Sequence, residues 1–268
     1  MKLGWRWCIP FLMFLGLHGC SAPSTQQEVQ GGTGREWVTE SDEPEARKRA
    51  RIRLELASGY FEQGQTTVAL DEVKQALQID PAYAAAYNLR GLIYMRLNEP
   101  RLSEQSFQQA LKVAPGDADT LHNLGWMQCQ NGRLSEAVGS FTAALRAPNY
   151  PGAARTWMTQ GICQARSGLT EDAERSLTRS FQLDPGNPIT LYNLASLLNQ
   201  RGDLQRAQFY TRRLNSSDLA NAETLWLGVK IEQKLRNPEA MRQLGEQLRR
   251  RFPASNEAAA YDRGAFNE

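Results

Sequence analysis

The sequence between positions 50 and 253 repeats with a period of about 34 residues, which constrains the fold more than any other feature. A small residue lies in the first predicted helix of a period, where it lets a second helix approach closely, at Gly91, Gly125 and Gly161. Small residues early in the second helix are predicted at the crossing point: Ala69, Ala137, Ala173 and Ala207. A residue that leaves a helix easily marks the turn between the two, at Gly64, Asn98, Gly132, Gly168 and Gly202. Proline ends the second helix at Pro81, Pro115 and Pro185. The pattern therefore predicts one helical hairpin in each period.

These positions resemble those of the tetratricopeptide repeat, and the resemblance implies an all-α, right-handed superhelix. One hairpin cannot bury its apolar face alone, so we expect successive hairpins to stack into a solenoid. The period divides the chain into about six helical hairpins, at 50–83, 84–117, 118–151, 154–187, 188–220 and 221–254. The connector 147–152 after the third unit is two residues longer than the period requires.

Residues 1–19 have the pattern of a signal peptide. Two basic residues precede the run 9–17, which has nine residues and no polar side chain. A helix that crosses a bilayer needs roughly 20 apolar residues, so this run is too short to be a stable span. The end of the run, Leu-His-Gly-Cys, resembles the lipobox of bacterial lipoproteins and implies acylation of Cys20. The alternative is an ordinary signal peptide that contains a cysteine.

The segment 20–43 is predicted to be a lipidated flexible tether in front of a repeat domain at 44–268. It is rich in Ser, Thr, Gln, Gly and Glu and has little apolar content. A flexible chain of this length has a root-mean-square reach of roughly 25 Å. Ser21 follows the cysteine, where lipoproteins retained at the inner membrane carry Asp. The resemblance therefore implies a lipid anchor in the outer membrane, with the protein facing the periplasm.

Charge does not indicate a nucleic-acid partner. The chain has 31 basic and 29 acidic residues, and the predicted signal peptide contains two of the basic ones and no acidic one. The mature chain is therefore neutral. The basic run 47–53 is consistent either with contact to lipid headgroups or an acidic partner, or with a solvated first helix.

Two cysteines remain in the repeat domain once the signal peptide is removed and Cys20 is acylated. Cys129 and Cys163 lie on the first helices of the third and fourth hairpins. An oxidising periplasm favours a disulfide between thiols on touching helices. However, the two-residue insertion places Cys163 level with Met127, so a Cα separation above roughly 7 Å and two unpaired thiols are the alternative.

No motif for catalysis or for a metal is present in the sequence. His122 is the one histidine of the mature chain, and neither a Gly-x-Ser-x-Gly elbow nor a phosphate-binding loop occurs. The two cysteines also lack the spacing of a metal site. We therefore predict a binding scaffold with no catalytic residues, no metal and no cofactor. An enzyme with an unrecognised site around His122 is the alternative.

The first helix of a tetratricopeptide hairpin lines a concave groove, through positions 2, 5, 9 and 12 of each repeat. The resemblance assigns a partner-binding groove to Phe61, Asn88, Met95, His122, Trp126, Met158, Tyr192 and Asn199. Three further apolar residues are predicted to pack between neighbouring helices instead: Leu54, Leu92 and Ile162. This lining matches an amphipathic helix or an extended apolar segment of another protein. Asn88 and Asn199 can form hydrogen bonds with the backbone of that segment.

The whole chain resembles the type IV pilus biogenesis and stability lipoproteins. The residues that carry the resemblance are the lipobox, the run 123–129, the connector with Tyr150 and Pro151, the run 161–163, and the end of the chain from Leu248 to Tyr261. In members that carry the cysteine pair, a disulfide is expected, which the resemblance extends to Cys129 and Cys163. It also implies a non-enzymatic, pilotin-like role.

In that role the protein would help the outer-membrane secretin subunit to localise and multimerise, together with other pilus assembly proteins. The resemblance implies contact with the membrane through the lipid anchor. It implies neither a nucleic-acid partner nor a small-molecule substrate. The alternative is a periplasmic lipoprotein adaptor for cell-wall hydrolases or for outer-membrane protein assembly.

Overall fold

The computed structural model describes residues 42–266. The predicted signal peptide, Cys20 and all but the end of the predicted tether lie outside the described residues. The described part of the chain forms 13 α-helices and no strand. The helices are α1 (Glu45–Glu62), α2 (Thr66–Ile79), α3 (Ala84–Arg96), α4 (Pro100–Val113), α5 (Ala118–Gln130), α6 (Leu134–Leu145), α7 (Ala153–Arg166), α8 (Thr170–Leu183), α9 (Pro188–Arg201), α10 (Leu204–Asn215), α11 (Ala222–Lys234), α12 (Pro238–Arg251) and α13 (Asn256–Arg263).

Consecutive helices pair into six hairpins. They are numbered in chain order, from hairpin 1 (α1 and α2) to hairpin 6 (α11 and α12). This confirms the all-α repeat architecture expected from the period. The helix α13 was not predicted, and it packs against both helices of hairpin 6. Within residues 42–266, no helix combines the length and the apolar character that a membrane span requires.

The turns inside the hairpins use left-handed backbone, as the sequence predicts. The residues with positive φ in the first five hairpins are Gly64 (78°), Asn98 (57°), Gly132 (74°), Gly168 (77°) and Gly202 (81°). Arg236 takes the same conformation in hairpin 6, with φ of 56°. A residue with a Cβ adopts this conformation at a cost, so sequence alone gave no reason to expect it at an arginine.

The close helix crossing predicted from small residues is present. A Cβ on Gly125 would lie 3.2 Å from the Ala137 carbonyl oxygen, and one on Gly161 would lie 3.1 Å from that of Ala173. Backbone atoms cannot yield as a flexible side chain does, so a side chain at either position would press the two helices apart. The crossing alanines have no exposed surface: Ala69, Ala137, Ala173 and Ala207.

The curvature of the solenoid places the first helices on its inner side. First helices of neighbouring hairpins approach within 8 Å between Cα atoms, from α1 and α3 to α9 and α11. Among the described residues, neighbouring second helices show no such approach. The surface formed by α1, α3, α5, α7, α9 and α11 is therefore concave, and the apolar core runs between it and the second helices.

Candidate partner-binding groove

The predicted groove residues lie on five consecutive first helices, α1 to α9. Seven of the eight are half-buried, with one side of the side chain against the core: Phe61, Asn88, Met95, Trp126, Met158, Tyr192 and Asn199. A half-buried position is held in place by its packing and still presents surface to a partner. The eighth residue, His122, is buried.

The apolar members of the groove rest on separate parts of the core. Trp126 packs against the cluster that contains Cys129, Phe141 and Cys163. Met95 packs against the cluster around Phe107. The three residues predicted to pack between helices are also half-buried, each against a core cluster: Leu54, Leu92 and Ile162. The groove therefore presents several separate apolar patches along its length.

His122 does not belong to the groove surface, which corrects the assignment made from the sequence. Its side chain is 6% exposed, its Nδ1 lies 2.9 Å from the Thr156 hydroxyl, and its ring centroid lies 5.8 Å from that of Phe141. Hairpins 3 and 4 close over it, because Thr156 belongs to α7 and Phe141 to α6. The pKa of His122 is lowered to about 4, chiefly by burial and further by the positive charge of Arg155, while the negative charge of Asp119 acts in the opposite direction. The imidazole is therefore neutral at pH 7.

Polar groups in the groove bridge neighbouring first helices. The Asn123 amide donates to Asn88 Oδ1 at 3.0 Å, and the Lys234 ammonium donates to Asn199 Oδ1 at 2.9 Å. The carbonyl oxygens of Asn88 and Asn199 are thus already engaged, and their amide nitrogens are the groups that can donate to a partner's backbone. Sequence reasoning missed these bridging residues, although Lys234 lies 35 positions from Asn199, about one period.

The first groove residue, Phe61, is covered by a cation from the next hairpin. The Arg96 guanidinium lies 3.7 Å from the centre of the Phe61 ring, and it also donates to the Phe61 carbonyl. Such a stacked cation is stabilised by the negative face of the ring. This end of the groove therefore presents an arginine as well as an aromatic surface.

Hairpins 3 and 4 are joined at both ends of their first helices. Cys129 and Cys163 form a disulfide, with sulfurs 2.04 Å and Cα atoms 6.0 Å apart. At the other end, Asp119 Oδ1 accepts hydrogen bonds from the Tyr150 hydroxyl at 2.9 Å and from Arg155 at 2.8 Å. The inserted connector thus contributes Tyr150, which hydrogen-bonds to Asp119 of hairpin 3. The two-residue offset of hairpin 4 that the connector introduces does not prevent the cysteines from bonding.

The described residues contain no group of three or more His, Cys, Asp or Glu side chains placed to hold a metal ion. The geometry of the concave surface is that of a binding face: half-buried apolar side chains, held by packing, with amide donors between them.

Comparison with known proteins relates this geometry to a family. A family model described as TPR repeat matches residues 58–98, and one described as tetratricopeptide repeat matches 89–154, 125–188 and 158–218. The type IV pilus assembly protein PilF of Pseudomonas aeruginosa is 25% identical over 252 residues, which are 94% of this chain and 96% of that protein.

Two solved structures extend the likeness to the fold. The crystal structure of PilW, described as a widely conserved type IV pilus biogenesis factor, superposes with a TM-score of 0.72 at 31% identity, over 80% of this chain and 98% of PilW. The structure of P. aeruginosa PilF gives a TM-score of 0.71 at 25% identity, over 81% of this chain and 99% of PilF.

Proposed function

Since the chain belongs to the tetratricopeptide-repeat family of type IV pilus biogenesis proteins, we propose that it is an outer-membrane lipoprotein that assists localisation and multimerisation of the pilus secretin. The observation that carries this proposal is the extent of the likeness. The similarity reaches from end to end of PilF and PilW, which a repeat shared by unrelated scaffolds does not require. Pilus biogenesis through protein–protein contacts is the part of the role that the family supports directly.

In the proposed mechanism, acyl chains on Cys20 hold the protein at the inner leaflet of the outer membrane. The tether lets the solenoid reorient near the membrane, within a reach of roughly 25 Å. The groove captures a segment of the secretin subunit, for which Met95, Trp126 and Tyr192 offer apolar anchors. Capture next to the membrane raises the local concentration of subunits, which favours their assembly.

The proposed role is that of a scaffold and not of an enzyme. His122, the centre of the alternative enzymatic site, is buried and hydrogen-bonded to the neutral Thr156. A general base needs access to the proton that it removes. Exchange of His122 for alanine should therefore affect function only as far as it affects folding or partner binding.

Deletion of the gene tests the proposal directly. We expect secretin multimers in the outer membrane and surface pili to be strongly reduced, and expression of the wild-type protein to restore both. A Cys20→Ala variant should leave the outer-membrane fraction and restore multimers poorly. Normal multimers and normal piliation in the deletion strain would overturn the proposal, and recovery of cell-wall hydrolases instead of secretin on purification would support the adaptor.

A further inference from the structure

A cavity of about 260 Å³ opens between the first helices of hairpins 5 and 6. It is lined by the start of α9, the connector before α11 and the start of α11, and its lining includes Ile189, Tyr192, Leu219 and Glu223. Because Tyr192 is one of the groove residues, the cavity is continuous with the partner-binding groove.

Two apolar side chains in this cavity are unusually exposed for their size. Leu219 is 56% exposed and Ile189 is 50% exposed. Leu219 has the highest exposure of the large apolar side chains that the structure describes, and Ile189 is among the four highest. An apolar side chain that sits between them would remove part of both surfaces from water, which favours binding.

Two of the corresponding gaps between first helices are occupied by the protein's own side chains. Between hairpins 1 and 2, Arg47 stacks 4.5 Å from the centre of the Tyr83 ring and bonds Asp80. Between hairpins 3 and 4, Tyr150 and Arg155 converge on Asp119. At the start of α9 and α11, the Tyr192 hydroxyl reaches Glu223 across the gap between hairpins 5 and 6, and the cavity beside this contact is open.

The charge in the cavity has one sign. Glu223 is the charged residue of the lining, and its Oε1 accepts a hydrogen bond from the Tyr192 hydroxyl at 2.5 Å. Burial raises the pKa of Tyr192, and the hydrogen bond to Glu223 and the charges of Glu223 and Glu257 raise it further. The hydroxyl thus stays protonated and the local potential is negative. Arg251 contacts the same connector through the Ala220 carbonyl but does not line the cavity.

We propose that this cavity holds a large apolar side chain of a partner protein whose neighbouring residue is lysine or arginine. The apolar side chain lies against Ile189, Leu219 and the Tyr192 ring, and the cation pairs with the Glu223 carboxylate. This inference rests on the proposed function, since it names the chemistry that one part of the same groove selects.

The test uses two synthetic peptides of equal length on a Gly/Ser background, each with a central leucine, flanked by lysines in one and by glutamates in the other. They are titrated into the purified mature lipoprotein in detergent, with binding measured by fluorescence anisotropy. An exposed ion pair is worth up to about 1 kcal/mol, so attraction in one peptide and repulsion in the other should give a preference of about fivefold to tenfold for the lysine peptide.

Three variants separate the contributions. Leu219→Ser should weaken the lysine peptide several-fold. Glu223→Gln keeps an acceptor for Tyr192 and should abolish the preference between the peptides. Leu183→Ser is the matched control, because Leu183 is 48% exposed on α8 and does not line this cavity. It should change nothing.

Equal binding of the two peptides, no binding of either, or equal weakening by Leu183→Ser would overturn the inference. These results would leave the proposed function intact if the deletion strain still lacks secretin multimers. Conversely, a lysine preference that depends on Leu219 and Glu223, in a protein whose deletion leaves multimers unchanged, would sustain the inference and overturn the role in secretin assembly.

Discussion

The ring of Tyr261 occupies the space that a side chain at Gly245 would need. A Cβ on Gly245 would overlap the Tyr261 ring, so α13 packs directly against the backbone of α12. Tyr261 and the following Phe266 pack with the cluster around Trp226 and Leu248, which would otherwise form the open end of hairpin 6. The short helix α13 thus caps the solenoid. The last hairpin needs such a cap, because no further repeat covers its outer face.

Replacement of Gly245 by alanine should therefore loosen this cap. We expect the free energy of unfolding to fall by about 1–3 kcal/mol, the usual effect of overpacking, measured by chemical denaturation. Gly139→Ala is the matched control, since Gly139 lies inside α6 with nothing within 4 Å of an added Cβ. Alanine is the better helix former there and should stabilise by up to about 1 kcal/mol. Two changes of the same sign would contradict the packing argument.

The contrast between α13 and the hairpins explains how much of the fold could be predicted. The turn at Gly132 and the close crossing at Gly125 recur at the same positions in several periods, so they show in the sequence. The contact between Gly245 and Tyr261, which positions α13, occurs once. The eight residues of α13 lie outside the repeated hairpins, so the period does not indicate this helix.

The groove was predictable to a similar extent. The resemblance to the tetratricopeptide repeat assigned Trp126 and Tyr192 to first helices, and the structure has them on α5 and α9. The resemblance could not show that His122 is covered, since the cover consists of Thr156 and Phe141 from other helices. The cavity beside Leu219 was missed for the same reason, because its walls come from two hairpins and the connector between them.

The neutral, buried His122 makes stability depend on pH. In the unfolded chain its pKa is near the ordinary 6.5, whereas in the fold it is about 4. Between pH 6.5 and pH 4 the unfolded chain binds more protons than the folded protein. The contribution of His122 to the free energy of unfolding is therefore complete above pH 6.5 and is lost as the pH falls towards 4. Each pKa unit of difference corresponds to about 1.36 kcal/mol, so the free energy of unfolding falls by roughly 3 kcal/mol over this range.

Comparison of wild type with His122→Gln isolates this effect. The free energy of unfolding of both proteins is measured by denaturation between pH 7.5 and pH 4. Carboxylates such as Asp80, whose pKa is lowered by its hydrogen bond to Arg47, titrate in both and cancel in the difference. The variant should show the shallower decline. Parallel curves would mean that His122 takes up its proton without cost in the folded protein.

The disulfide between Cys129 and Cys163 closes a loop with a sequence separation of 34. In the chain-entropy model such a link stabilises the fold by about 3.5–4 kcal/mol. Reduction, or replacement of both cysteines by alanine, should lower the denaturant midpoint accordingly. The double variant is its own control, since a reducing agent should not change its midpoint further. A wild-type midpoint that is insensitive to reduction would contradict the model.

Trp126 is the groove residue whose loss should affect partner binding most. One side of the indole packs against the disulfide cluster, and the half-buried position leaves the rest of its surface to a partner. Anchors of this kind are worth 2 kcal/mol or more, so Trp126→Ala should weaken binding to purified secretin at least about 30-fold. Leu169→Ala is the control, because Leu169 is 42% exposed but precedes the second helix of its hairpin, and it should bind normally. Denaturation of both variants determines how much folded protein each sample contains. If the weakened binding of Trp126→Ala is accounted for by its unfolded fraction, the indole supports the fold at this position and does not contact the partner.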